Sequence, residues 1–239
     1  MSPMTLEYSF LSARPIKSSM TERLNDLLRT QAEDDPEYRR LAVFSRNLPS
    51  WAADASDFWR TDDHWELGCK GREITIGFSD PLDSACRETL FRNFAAGLLG
   101  SGYAYTAVIR RRTTGRRSRT SYDRHLTHAV FESAHLLFCE RQIDPDRPEP
   151  PREAYFCRPR KDKDGRPAGG YRKDTRWSQS YNRGWILRAR LFWCRLVNGA
   201  LEQAGVEDRL GLNTYGTIYP VRHSDHFGMF VPRPLTVES

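Results

Sequence analysis

Apolar residues recur along this chain with two different periods, and the switches between them mark its elements. LEYSFLSA, residues 6–13, alternates and predicts a strand. SSMTERLNDLLRTQ follows, with Ser19 and Glu22 at capping-box spacing and Met20, Leu24, Leu27 and Leu28 on one helical face. Residues 32–63 carry neither period, and their aromatic islands at Trp51, Phe58 and Trp59 read as irregular structure docked on a core. REITIGF, residues 72–78, is a strand by its isoleucines and alternation. SDPLDSACRETLFRNFAAGLLGSG is the next helix, with Ser/Asp capping candidates and Pro81 at its start and Gly100 and Gly102 at its end. Its buried side is Ala85, Leu90, Phe91, Phe94 and Leu98.

YAYTAVI, residues 103–109, is a second strand by composition. RRRTTGRRSRTSYDR then holds seven arginines in fifteen residues without apolar period, which predicts a loop. HLLFCE predicts another strand. From Asp144 to Tyr181 the chain is rich in Pro, Gly, Arg and Lys and reads as a long exposed loop or arm. NRGWILRARLFWCRLVNGALEQAG is a helix whose buried stripe is Trp185, Ala189, Phe192, Trp193, Leu196 and Ala200, stopped by Gly205. LNTYGTIYPVRHSDHF carries little periodic signal. Strands and helices in this order predict an α+β fold, an antiparallel β-sheet flanked by helices, with a long basic loop. A single domain over 1–239 is expected: an N-terminal strand and helix (1–50), the sheet core (51–143), the basic loop or arm (144–181), and a late helix with its tail (182–239).

Charge narrows the partners. The formal charge is +6 with a sequence pI near 9.2, and the excess is arginine gathered in a few stretches, which favours a polyanion. Nucleic acid comes first and an acidic membrane surface second, but no run of about 18 apolar residues exists to span a bilayer. The N-terminal residues lack a signal peptide's apolar core, so a soluble cytoplasmic protein is expected. Cys69, Cys86, Cys139, Cys157 and Cys194 are scattered without a CxxC pair and read as reduced thiols. Arg110, Arg111, Arg112, Arg116, Arg117 and Arg119, with Arg158, Arg160, Lys161, Arg172, Lys173 and Arg176, would neutralise phosphates. Tyr122, Tyr155, Tyr171 and Trp177 lie among them and could stack on unpaired bases.

HLTHAVFESAHLLFCER, residues 125–141, holds three of the six histidines within eleven residues. As a helix it would set His125, His128, Glu132 and His135 on one side of the cylinder, where they could ligate a divalent ion. As a strand it would share one face among His135, Leu137 and Cys139, with His125 and His128 in the preceding loop and able to fold back. A third reading makes the first two histidines solvated loop residues and His135 a satisfied, partly buried one. Periodicity leaves all three open.

Co-linear features from Trp51 to about Arg209 resemble the MobA/MobL relaxases, plasmid-mobilisation proteins that nick DNA at a transfer origin. The matching stretches are PSWAADASDFW, REITIGFSDPLDSACRETLFRNFAAGLL, YTAVI, HLLFCERQID, RPEPPREAYF, GGYRKDTR and WILRARLFWCRLVNGALEQAGVEDR. The resemblance implies an antiparallel sheet flanked by helices, as in HUH-type endonucleases. It also implies a divalent ion, Mg or Mn, held by three histidines, and a tyrosine that attacks the scissile phosphate.

Residue by residue the resemblance is degenerate. The second histidine of the family's His-x-His pair matches His135, while the first matches Ser133. The isolated histidine matches Arg110, a cation that would bind phosphate directly. His125 and His128 are the candidates to take over ligand positions. Residues 9 to 37 contain no tyrosine, so Tyr38 is the nearest nucleophile candidate and Tyr8 sits on the opening strand. Glu73 fits one family acidic position, and Thr75 stands where a second is expected. Two functions follow from the resemblance: a metal-dependent single-stranded DNA nickase using Tyr38 and Glu73, or a relaxase-fold DNA- or RNA-binding subunit without cleavage. Both imply single-stranded or hairpin nucleic acid as partner, DNA favoured, in a bacterial mobilisation or other nucleoprotein complex.

Overall fold

The computed structural model describes residues 10–29, 38–78, 82–116, 127–178, 184–213 and 217–221. Its main sheet is antiparallel and built from β1 (Phe10–Ile16), β2 (Tyr38–Arg46), β3 (Gly71–Phe78), β4 (Tyr105–Arg116) and β5 (Thr127–Phe138), in the spatial order β1-β3-β5-β4-β2. The helices are α1 (Met20–Leu28), α2 (Ala55–Trp65), α3 (Ser84–Leu99), the one-turn α4 (Arg152–Tyr155) and α5 (Thr175–Ser178), and α6 (Gly184–Gln203). Two small hairpins complete the described chain, β6 (Arg160–Lys161) with β7 (Pro167–Ala168), and β8 (Arg209–Leu212) with β9 (Ile218–Val221). The expected α+β architecture, an antiparallel sheet flanked by helices, is the one observed.

Alternation along the central strands sends neighbouring side chains into two separate cores. Ile74, Ile76, Phe78, Tyr105, Ala107, Ile109, Ala134, Leu136 and Phe138 face α3 and α6, where Phe91, Phe94, Trp185 and Trp193 complete the larger core. Val108 and Leu137 face the other way, toward Met20, Leu24 and Leu27 of α1 and Phe58 and Trp59 of α2. Glu73, Thr75 and His135 share that second face by register, since Thr75 pairs with His135 and Glu73 with Leu137. The second face is therefore half apolar core and half polar site.

Helix α1 begins where the capping pattern predicts. Ser19 Oγ accepts from Glu22 N at 3.0 Å. Asp63 of α2 also accepts from Ser19 Oγ at 2.6 Å, Met20 N at 2.7 Å and Thr21 N at 2.9 Å, placing a carboxylate at the positive end of α1. This junction fixes the angle at which α1 crosses the sheet.

Three expectations need correction. Residues 32–63 are not irregular throughout: they hold all of β2 and most of α2. β2 is an edge strand with a register shift between Arg40 and Ala42, which removes the period-2 signal. The arginine stretch after Ile109 is not a loop from its start, because β4 continues to Arg116 and β5 begins at Thr127, so His128 is a strand residue paired with Gly115. Among the described residues β3 ends at Phe78, opposite Glu132, so its pairing with β5 stops short of the outer rungs of β4 and β5.

The segment from Asp144 onward is an arm folded back on the protein rather than an exposed loop. Gln142 N donates to Arg172 O and Asp174 N to Glu140 O, pairing the return of the arm with the chain leaving β5. Tyr155, Phe156, Tyr171 and Trp177 are buried. Arg141, 4% exposed, holds the arm: it bonds Glu66 Oε2 at 2.6 Å, Cys157 O at 3.0 Å and Tyr171 O at 2.5 Å, and also donates to Phe156 O. Gly170 lies against the carbonyls of Tyr155, Cys157 and Ala154, where a Cβ would collide with backbone. Arg141→Met leaves Glu66 and these carbonyls without their donor in a buried place. It is expected to lower the unfolding free energy by about 3–5 kcal/mol. Lys173→Met removes a partly exposed cation from the same Glu66 and should cost about 1 kcal/mol or less. Urea unfolding of both variants checks this, and equal losses would mean that Arg141 does not hold the arm.

Candidate nucleic-acid interface

Strand register gathers the polar half of the second face around one carboxylate. Glu73 is fully buried on β3. Arg14 on β1 pairs with it across the ladder and donates from Nε to Oε2 at 2.8 Å. Arg23, one turn into α1, reaches down with Nε 3.1 Å and Nη2 2.6 Å from Oε1. His135 on β5 places Nδ1 2.9 Å from the same Oε1, with Thr75 Oγ1 3.4 Å away. Ser133, two residues before it, sets its hydroxyl 3.1 Å from His135 Nε2. An ionised carboxylate can only accept, so Nδ1 carries the ring proton and Nε2 accepts from Ser133.

Charge then organises the site. Burial by itself raises the Glu73 carboxyl, but hydrogen bonds from His135 and Arg23, the Arg23 charge and the Arg14 bond override it, holding Glu73 far below the usual carboxylate range. Burial pushes His135 below its ordinary value; the bond to Glu73 works against this, and nearby Arg110 adds to it, so the ring is neutral at pH 7. Arg110 pairs with Ser133 on β5 and with Arg40 on β2, so these positions share the face two residues along from His135. Two guanidiniums, from Arg14 and Arg23, bond the carboxylate, Arg23 also pairing with Asp26, and Arg110 adds its charge beside His135. Beyond them Arg40 is exposed at the sheet edge.

The divalent ion implied by the family resemblance finds no matching donor set among the described residues. Among the described residues no group of three or more His, Cys, Asp or Glu side chains could hold a metal. Both Glu73 oxygens are taken by Arg14, Arg23 and His135, and both His135 nitrogens are engaged. His125 lies outside the described residues. His128 stands seven strand positions from His135, roughly 23 Å along β5.

Tyr38 opens β2 on the rung of Arg112 and Phe131. Its backbone is three strands across from Glu73, about 14 Å, and six rungs along, about 20 Å. The two catalytic candidates are not brought together. Arg112 and Arg116 lie on the outer rungs of β4, while Arg117, Arg119, Tyr122 and Tyr8 fall outside the described residues. Arg111 points to the opposite face, where it meets Glu132 at 2.5 Å beside Arg87 and Ser84. Arg158, Arg160 and Lys161 are exposed at the β6–β7 hairpin, and Arg172 is exposed on the arm. Lys173 is tied to Glu66 at 3.1 Å, and Arg176 to Asp174 at 2.6 Å. The stacking candidates Tyr155, Tyr171 and Trp177 are corrected: all three are buried, where they pack the arm onto the body.

Arg14, Arg23 and Arg40 are the site residues that sequence reasoning missed. Arg14 is matched to Glu73 only by strand pairing, which no local period reveals. Arg23 had a signal, being the cation one turn after a capped helix start.

Both central groups shift stability in the same direction with pH. Glu73 is depressed, so its contribution is present above its unfolded value and is lost as pH falls below about 4.5. His135 is depressed, so the fold loses stability as pH falls below about 6.5, where the unfolded chain binds the proton first. Asp62, fully buried and pushed well up by burial, acts in the opposite sense, so variants are compared with wild type at each pH. Relative to wild type, His135→Asn should flatten the loss between pH 7 and 5.5, and Glu73→Gln should cost most at pH 7 and least near pH 3. Chemical denaturation across pH 3–8 measures both, and parallel curves for all three proteins would contradict this electrostatic account.

No helix among the described residues is long and apolar enough to cross a membrane. No family model matches the chain, and no curated protein matches it. The fold is similar to that of a solved chain described by the words "Molecular Basis of Vancomycin Resistance Transfer in Staphylococcus aureus", with a TM-score of 0.53 and 16% identity. The match covers 87% of this chain and 100% of that one.

Proposed function

We propose that the protein is a relaxase-like nucleic-acid-binding protein that lays single-stranded or hairpin DNA across the second face of its sheet. The observation that carries this is a line of cationic side chains across that face: Arg14, 62% exposed beside Glu73, Arg110 next to His135, and Arg40 exposed at the sheet edge. Guanidiniums bind phosphate bidentately, so Arg110 can supply directly the charge that a metal supplies in a nickase. The outer rungs of β4 and β5 extend past β3 and carry Arg112 and Arg116, and such a two-stranded ribbon can track a duplex groove beside the single strand. The similar fold of a protein from vancomycin resistance transfer supports the same direction.

Between the two activities the geometry favours binding without cleavage. Ser133 bonds to the histidine nitrogen that a metal would need, and the Tyr38 backbone lies about 10 Å across and about 13 Å along the sheet from His135. With a labelled single strand and Mn²⁺, neither wild type nor Tyr38→Phe should form a covalent adduct. An adduct that Tyr38→Phe abolishes would establish the nickase instead. Binding should weaken steeply with salt. In Arg40→Ala/Arg110→Ala the log–log salt slope should become shallower by roughly 0.7 for each phosphate that is no longer neutralised. Fluorescence anisotropy at several salt concentrations reads this, and an unchanged slope removes the sheet face as the binding surface.

A further inference from the structure

Helix α2 turns one carboxyl into the protein with nothing to meet it. Phe58, Asp62 and Glu66 stand four residues apart in succession and form one stripe along the helix and its C-terminal cap. The two outer members of the stripe have partners in the arm. Phe58 packs against Tyr155 and Phe156, ring centroids 5.8 and 5.4 Å away. Glu66 takes Arg141 at 2.6 Å and Lys173 at 3.1 Å. Asp62, between them, is 0% exposed, and among the described residues neither of its side-chain oxygens has a hydrogen-bond partner. The arm is therefore docked one turn to either side of a buried carboxyl that is left unsatisfied.

The nearby cations are already engaged. Lys70 Nζ bonds the carbonyls of Asp63, at 2.9 Å, and of Glu66. Lys173 Nζ bonds Cys69 O at 2.8 Å besides Glu66. Arg141 holds Glu66 and three carbonyls of the arm. Asp63 and Glu66 bring negative charge from α2, and the buried Cys139 thiol lies near at the end of β5. On α1, Arg23 is turned to Glu73 and Asp26, and Glu22 is exposed, as is His64 on α2. Burial first, then the charges of Glu66 and Asp63, push the Asp62 carboxyl well above the usual carboxylate range. It holds its proton past the pH at which an exposed aspartate ionises.

We infer that Asp62 is a proton-linked latch for the arm: protonated, it lets the arm lie closed against α2, and its ionisation favours an open arm in which the carboxylate reaches water. Opening moves one proton from the Asp62 carboxyl to solvent and breaks no covalent bond. Open, the group titrates near its ordinary value of about 3.8; closed, it titrates higher. Closure is therefore strongest below the ordinary value and weakens as pH rises toward the raised one. Opening uncovers Tyr155, Phe156 and Tyr171, which in the closed form share a cluster with Phe58, Trp59 and Cys139. The latch does not depend on nucleic-acid binding by the sheet face.

Hydrogen exchange of the full chain from pH 5 to 8, each rate divided by that of the unfolded chain at the same pH, tests it. The amides to follow are Gln142, Gly170 and Asp174, which close the arm by donating to Arg172 O, Cys157 O and Glu140 O. In wild type their protection is expected to fall with rising pH by up to tenfold per unit, the slope for one released proton, while amides of β3 and α6 show no such fall. In Asp62→Asn the protection of the same three amides should not vary with pH, and Asp62→Ser, equally unable to ionise, should behave alike. The wild-type profile decides by itself if neither variant folds. Arm protection that is flat or rises with pH in wild type, that keeps its slope in the variants, or that falls together with β3 and α6 would overturn the latch.

Discussion

A buried ionised carboxylate costs several kcal/mol unless it is fully paired, and Glu73 makes that requirement the organising constraint of this fold. Its partners come from three separate elements: Arg14 from β1, Arg23 from α1 and His135 from β5. They are not equal. The Arg14 side chain is 62% exposed, so water screens its pairing, whereas Arg23 is 19% exposed and His135 4%. The position of α1 is therefore set chiefly by Arg23, which reaches the sheet, and by Asp63 at the helix N-terminus, with the Met20–Leu24–Leu27 stripe filling the space between. Shifting α1 by one turn would bury the stripe wrongly and leave Glu73 short of its main counter-charge.

That constraint also decides what the polar face can bind. A carboxylate already neutralised by arginines has no capacity left to hold a cation, and a histidine bonded at both nitrogens has no free lone pair to offer one. Arg110 and Ser133 are paired on one rung of β4 and β5, so the positions that neighbour His135 on this face carry a guanidinium and a hydroxyl rather than further imidazoles.

The sequence revealed those elements whose two faces meet different cores or solvent. α1, α3 and α6 have a clear apolar stripe, and β3 has its alternation, so their existence and most of their buried residues were readable. β2 was not, because a sheet-edge strand with a bulge has no consistent inward face. The length of β4 was hidden for a related reason: Arg110 to Arg116 are paired with β5 rung by rung through the backbone, and hydrogen-bonded backbone leaves no mark on residue type. The arm misled in the opposite way. Its Pro, Gly and Arg content is that of a loop, and it is a loop by shape, but four aromatics and Arg141 bury it. The candidate site was half legible: Glu73, His135 and Arg110 came from composition and resemblance, while Arg14 and Arg23 depend on register and helix placement, which only the assembled sheet provides.

The distribution of arginine now has a physical division of labour. Arg23, Arg72, Arg87 and Arg141 are largely buried and neutralise Glu73, Glu140, Glu132 and Glu66, so they contribute to the fold and are not available to a polyanion. Arg40, Arg46, Arg158 and Arg160 are exposed, and they lie at sheet edges and on the hairpin of the arm. Net charge alone could not separate these groups, and counting every arginine as a phosphate contact overstates the binding surface. Because the long-range field falls within about a Debye length, about 8 Å in physiological salt, it is this exposed set, and not the net charge of the chain, that any charged partner meets first.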